Sequence, residues 1–210
     1  MAEKKPSRSE LKRQAILVAA KQAFQENGVK GTSMDQLATR AQVSKRTVYN
    51  HFPSKEALVI HLVTDLWKQA AAGSNHQYRG DSALAPQLAA LLQAELELIC
   101  SSDYLELARV AFGHYFYHPE ALKAELEKHD SDQTPLHQWL AAAQRDGRLQ
   151  PVEIETAITR LHGMIKGECF WPQLFQLKPQ PDASARAQLA AETAAIFLNY
   201  YEIRPEGQSA

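Results

Sequence analysis

Apolar residues along this chain recur with a helical period, and no strand-length window alternates persuasively with period two. Ile16, Ala19, Ala20, Ala23 and Phe24 fall at i, i+3, i+4, i+7 and i+8, the stripe of one buried helix face. Asn27-Gly28 ends that helix, since glycine accepts the left-handed C′ conformation. Ser33 followed three residues later by Gln36 is a capping-box pattern, with Thr32 and Asp35 as an alternative one residue earlier. The short helix so opened carries Met34, Leu37, Ala38 and Ala41 inward. Another short helix starts at Ser44 as N-cap and runs to about His51. Pro53 stops it, and Ser54 caps a longer helix from Lys55 to about Ala71.

Past the loop Gly73 to Ser82, the pattern predicts long helices over Ala83–Cys100, Tyr104–Tyr117, Glu120–Lys128, Pro135–Asp146, Glu153–Phe170 and Ser184–Tyr201. Breaks fall at His118-Pro119, Asp146-Gly147 and the KPQPD run from Lys178 to Asp182, where Pro or Gly chemistry accounts for each. The expected fold class is therefore all-α, with about nine helices. A three-helix N-terminal domain over residues 1–54 precedes a larger helical domain over residues 55–210.

Composition changes the picture through charge. The 210 residues carry 23 Lys and Arg against 24 Asp and Glu. Met1 to Ile60 alone holds 11 basic and 5 acidic residues, a net of +6, which leaves −7 on the remainder. A basic first quarter on an acidic body points to a polyanion met by the N-terminal part. Cys100 and Cys169 are too few for a disulfide framework or a zinc ribbon, and a reducing, cytoplasmic setting is the default. No signal-peptide pattern and no apolar run of membrane-spanning length is present, so no membrane partner is expected.

The stretch VSKRTVYNHFPSKEAL, from Val43 to Leu58, carries the sharpest signal. On a helix, Lys45 with Tyr49 and Arg46 with Asn50 are i, i+4 pairs on one side, while Val48 and Phe52 pair on the other. The apolar face anchors the helix and the polar face is presented. Such a helix is about 12 Å long and suits the major groove, with its N-terminal dipole toward phosphate. Lys45 and Arg46 have the reach for phosphates or guanine edges, Thr47 and Tyr49 offer hydroxyl donors, and Asn50 has the groups to read a base. Two short helices joined by Ala41-Gln42-Val43, the second polar outward, make a helix-turn-helix. A merely solvated helix face is the plainer alternative, disfavoured by the basic arm and the order of elements.

These residues resemble the TetR family of transcriptional regulators over about the first 60 positions. Gly31 to Ala38, Val43 to Tyr49 and Phe52 to Leu58 look like the family's second, third and fourth helices in order and spacing. The resemblance implies a helix-turn-helix domain on an all-helical ligand-binding and dimerisation domain, and a homodimer on palindromic double-stranded DNA. It also implies that Thr32 or Ser33, Ser44, Lys45, Thr47, Tyr49 and His51 touch DNA, mostly its backbone. With Gln42, Arg46, Asn50 and Lys55 these make the expected DNA-binding set. Two departures stand out: the family usually has Gly where Gln42 stands, and often Gly or Pro where Arg46 stands.

In the second half the resemblance is to the AefR-like group of C-terminal domains, around Cys169 to Pro172. Leu62, Leu66, Phe112, Tyr115, Phe116, Trp139, His162 and Trp171 are candidate walls for an effector pocket, core filling being the alternative for each. Gly163 and Gly167, a helical turn apart, permit close backbone approach, and Ala190, Thr193, Ala194, Phe197 and Tyr201 form a small-to-large stripe on the last helix. These are the expected dimer interface, with packing inside one chain as the alternative.

His114 and His118 have the i, i+4 spacing of a metal pair but no third ligand at close spacing, so no metal or cofactor is expected. No phosphate loop, nucleophile elbow, HExxH or paired-carboxylate pattern is present, so no catalysis is expected. The expected function is a DNA-binding regulator, a repressor released from its operator by a small, largely apolar effector. The alternative is a ligand-independent DNA-binding protein of the same fold whose C-terminal domain docks a protein.

Overall fold

A computed structural model describes residues 7–73, 77–117, 119–120 and 134–203, with the backbone alone for 67–73 and 114–115. Ten helices are present among the described residues. They are α1 (Arg8–Gly31), α2 (Met34–Arg40), α3 (Lys45–His51), α4 (Lys55–Gly73), α5 (Leu84–Ile99), α6 (Ser102–Tyr115), α7 (Pro135–Arg145), α8 (Ile154–Cys169), α9 (Trp171–Leu174) and α10 (Ala183–Tyr201). The expected helix from Glu120 to Lys128 lies, from residue 121 on, outside the described residues. So do His118 and the side chains of His114 and Tyr115.

The chain forms two compact units, divided between Leu66 and Trp67 inside α4 rather than at Ser54, and the segment from Ser102 belongs to the first. The reason lies in the core. Ile16, Phe24, Leu37, Val48, Phe52 and Leu58 are buried together, and Leu107 and Ala111 of α6 join the same cluster. Gln25 of α1 also donates to Asp103 at the start of α6, at 2.8 Å.

Local chemistry sets the ends of the first unit's helices. Ser7 and Glu10 form a capping box at the start of α1. The break expected at Gly28 occurs there, with φ 67° and ψ 163°, a region open only to glycine, and a single turn follows to Gly31. A Cβ at Gly28 would meet Glu106 Oε1 at 3.2 Å. Ser33 and Gln36 form the capping box of α2.

In the second unit α5 lies against α10, and the interior is filled by Leu88, Leu92, Trp139, Leu140, Leu161 and Ile165. Thr134 caps α7 with Pro135 in its first turn, Glu153 caps α8, and Asp182 caps α10. The expected last long helices differ slightly: α8 ends at Cys169, and Trp171–Leu174 form the separate short α9. An isolated antiparallel bridge, Leu149 with Glu202, ties the end of α10 back to the residues after α7. No described helix is long and apolar enough to cross a membrane.

Candidate nucleic-acid interface

Helix α3 is held from three sides. Ser44 Oγ accepts from Thr47 N at 3.1 Å at its start. Val48 is buried beneath it, and Phe52 closes it as a buried C-cap. The turn before it satisfies the last carbonyls of α2 in a Schellman arrangement: Gln42 N donates to Thr39 O at 3.1 Å and Val43 N to Ala38 O at 3.0 Å. That arrangement requires a left-handed C′ residue, and Gln42 adopts φ 54°. Without glycine there, the backbone carries a cost of about 1 kcal/mol.

The polar residues then divide by what they already bind. Ser33, Gln42, Ser44, Lys45, Arg46, Tyr49 and Asn50 are exposed, and Thr47 and His51 are half-buried. Lys45 Nζ lies 2.8 Å from Asp35 Oδ1 and donates to Asp35 Oδ2 at 3.0 Å, which raises its pKa through that hydrogen bond. Asp35 was not expected at this face as more than a possible cap; its proximity to Lys45 follows from the turn, which no helical spacing encodes. Arg40 makes a similar bidentate pair with Glu26 of α1, at 2.6 and 2.8 Å. Arg46 makes no ion pair among the described residues.

Two members of the expected set already bind carbonyls of their own chain, Thr32 as a buried residue and Lys55 as a half-buried one. Thr32 is 3% exposed, and its hydroxyl donates to Gly28 O at 2.9 Å and Ala23 O at 3.2 Å. Turned inward, it leaves the capping of α2 to Ser33. Lys55 Nζ donates to Val29 O at 2.7 Å and Thr32 O at 3.1 Å, so its charge sits on carbonyls at the end of α1. Their polarity signalled helix closure as much as DNA, and spacing alone does not separate the two.

Residues 16–62 match the model of the bacterial regulatory proteins of the tetR family. Residues 86–203 match that of the C-terminal domain of AefR-like transcriptional repressors. A crystal structure of a TetR family transcriptional regulator from Pseudomonas syringae pv. tomato is 38% identical, with 91% of this chain and 97% of that one covered and a TM-score of 0.71. The chain belongs to the TetR family of transcriptional regulators.

Among curated relatives, the regulator RutR of Escherichia coli K12 is 34% identical over 102 residues, 47% of this chain and 45% of RutR. The chain thus matches less than half of RutR's length. UidR of the same organism is 26% identical over 162 residues, 70% of this chain and 73% of UidR. This TetR-family chain keeps the helix-turn-helix geometry while placing Gln42 and Arg46 where the resemblance leads one to expect smaller residues.

The expected pocket and dimer residues are distributed differently from the sequence reading. Leu62 and Leu66 pack in or against the first unit's core, whereas Phe112 is partly exposed and Phe116 is 79% exposed. Trp139 is 2% exposed, its Nε1 donates to Gln87 Oε1 at 3.2 Å, and Tyr78 meets its ring edge-on, so it is a core residue of the second unit. His162 Nε2 and Glu95 Oε2 lie 3.0 Å apart between α8 and α5. Trp171 is exposed and stacked with Phe175.

On α10, Ala190, Thr193, Ala194, Phe197 and Tyr201 are buried within a single chain, which corrects their assignment to the dimer interface. The outward face carries Ile196, 62% exposed, and Tyr200, 69% exposed. The outward face of α10 mixes these apolar residues with exposed Gln188, Glu192 and Asn199, while the graded small-to-large stripe fits the interior. Gly163 and Gly167 are exposed, with open space where a Cβ would stand.

Cys100 Sγ donates to Cys169 O at 3.1 Å, and burial pushes its thiol up to about 12 and that of Cys169 upward too. Neither forms a ready thiolate near neutral pH.

Proposed function

We propose that this protein is a homodimeric repressor that binds a two-fold operator through paired α3 helices and is released by a small, largely apolar effector. The observation that carries the reading is the anchored helix Lys45–His51, whose Arg46, Tyr49 and Asn50 face solvent while Val48 is buried. A duplex has two such sites one turn apart on one face, so the two α3 helices stand roughly 34 Å from each other in the bound dimer. Bound in this way the protein occludes a promoter, which needs no contact with polymerase.

Pairing is supported by the exposed backbone at Gly163 and Gly167 and by the outward apolar residues Ile196 and Tyr200. The dimer face proposed for the last helix is this outer one. An effector acts by preferring a dimer whose reading heads no longer match the operator. Moving a 1:99 equilibrium to 99:1 requires a preference of about 5.5 kcal/mol between the two states.

The test uses a duplex enriched from a random library by the unmodified protein, with anisotropy at fixed salt. Tyr49→Ala and Lys45→Ala each weaken binding about tenfold, while the melting temperature stays within a degree or so, as expected for exposed side chains. Unchanged affinity in both variants would remove this face from DNA. Thermal-shift screening addresses the effector: stabilising apolar compounds that also weaken operator binding support a sensor. A flat response across a broad panel favours the protein-docking alternative.

A further inference from the structure

Two adjacent cations stand on the proposed DNA face, and one of them is held by a carboxylate. Lys45 and Arg46 are adjacent at the start of α3, and among the described residues Lys45 alone of the two is paired, to both oxygens of Asp35 in the first turn of α2. Both partners of that pair are exposed, so the duplex can reach them. Two short contacts to one carboxylate hold the Lys45 ammonium beside the first turn of α2, and its remaining hydrogen-bonding capacity is open to DNA.

We propose that Asp35 is a specificity-determining residue: it restrains Lys45 from following phosphates on arbitrary DNA and presents it, already oriented, to the operator. On random sequence, binding comes from phosphate neutralisation alone, so a restrained Lys45 contributes less there. On the operator, the same restraint lowers the conformational cost of placing the ammonium. Asp35 is thus a positioning residue that acts through Lys45. The inference rests on the proposed reading of the α3 face.

Two probes test it: a random-sequence duplex, and the duplex enriched by the unmodified protein, each titrated across a salt series. Asp35→Asn raises affinity for the random duplex about three- to tenfold and steepens its log K against log salt slope by about 0.9, the increment of one added phosphate contact. The enriched duplex gains less or loses affinity, so the ratio of the two affinities falls. Asp35→Glu keeps the ratio near that of the unmodified protein. In a Lys45→Ala background, Asp35→Asn changes the ratio no further.

An equal change on both duplexes, an unchanged slope, or the same effect without Lys45 overturns the role of Asp35. Failure of the underlying reading looks different: Lys45→Ala then leaves binding to both duplexes intact. A thermal melt of each variant shows whether the fold is kept, and an exposed pair of this kind leaves it so.

Discussion

Helices α3 and α10 differ in how many faces they commit. In α3 one apolar side is spent on Val48, and the remaining positions are polar. In α10 the inner side holds Leu189, Ala194, Phe197 and Leu198, while Ile196 and Tyr200 stand outward. A helix with one apolar face has one way to dock, so the role of the other face follows. A helix with large apolar residues on both sides has two, and only the three-dimensional packing says which is internal.

The strongest test of this contrast compares a core aromatic with a presented one. Trp139→Ala removes a fully enclosed indole and its hydrogen bond to Gln87, and lowers stability by about 3–5 kcal/mol. Tyr49→Ala, by contrast, changes stability by no more than about 0.5 kcal/mol. Denaturant unfolding of the two variants separates them. Comparable losses would mean that Tyr49 is bound into the domain and is not simply presented.

A smaller effect distinguishes the two sides of α10. Ala194→Leu overfills the interior and costs about 1–3 kcal/mol. Ile196→Glu leaves that interior intact and instead places a charge on the outer face, so sedimentation reads a shift from dimer to monomer. Dissociation by Ala194→Leu with no loss of monomer stability would restore the inner stripe as the pairing surface.

Much of the first unit was legible because its determinants are close in sequence. The capping box of Ser33 and Gln36, the break at Gly28 and the N-cap at Ser44 each lie within four residues of what they act on. The contacts of Lys55 were hidden because its partner carbonyl at Val29 is reached only after the chain folds back, and those of Thr32 because a hydroxyl that bonds back to Gly28 and Ala23 has the same spacing as one that caps the next helix. The Asp35–Lys45 pair was hidden for the same reason, spanning the turn between two helices. In the second unit, Trp139 has the composition of a pocket wall and the position of a core residue, and no local pattern separates those uses.

The smallest effect falls on the turn itself, where stability and recognition part. Gln42 holds φ 54° at a C′ position that glycine occupies without strain, and its side chain is exposed beside the recognition helix. Gln42→Gly relieves the left-handed cost but returns freedom to the unfolded chain, for a net gain of no more than about 0.6 kcal/mol. If the amide of Gln42 also contacts DNA, the same variant loses affinity severalfold for the enriched duplex, and that is the expected result. Stability measured by thermal melt then rises as affinity measured by anisotropy falls, a divergence that a purely structural turn residue does not produce. Gain in stability with unchanged affinity would assign the turn to the fold alone and leave Arg46 as the departure that sets this protein's choice of DNA.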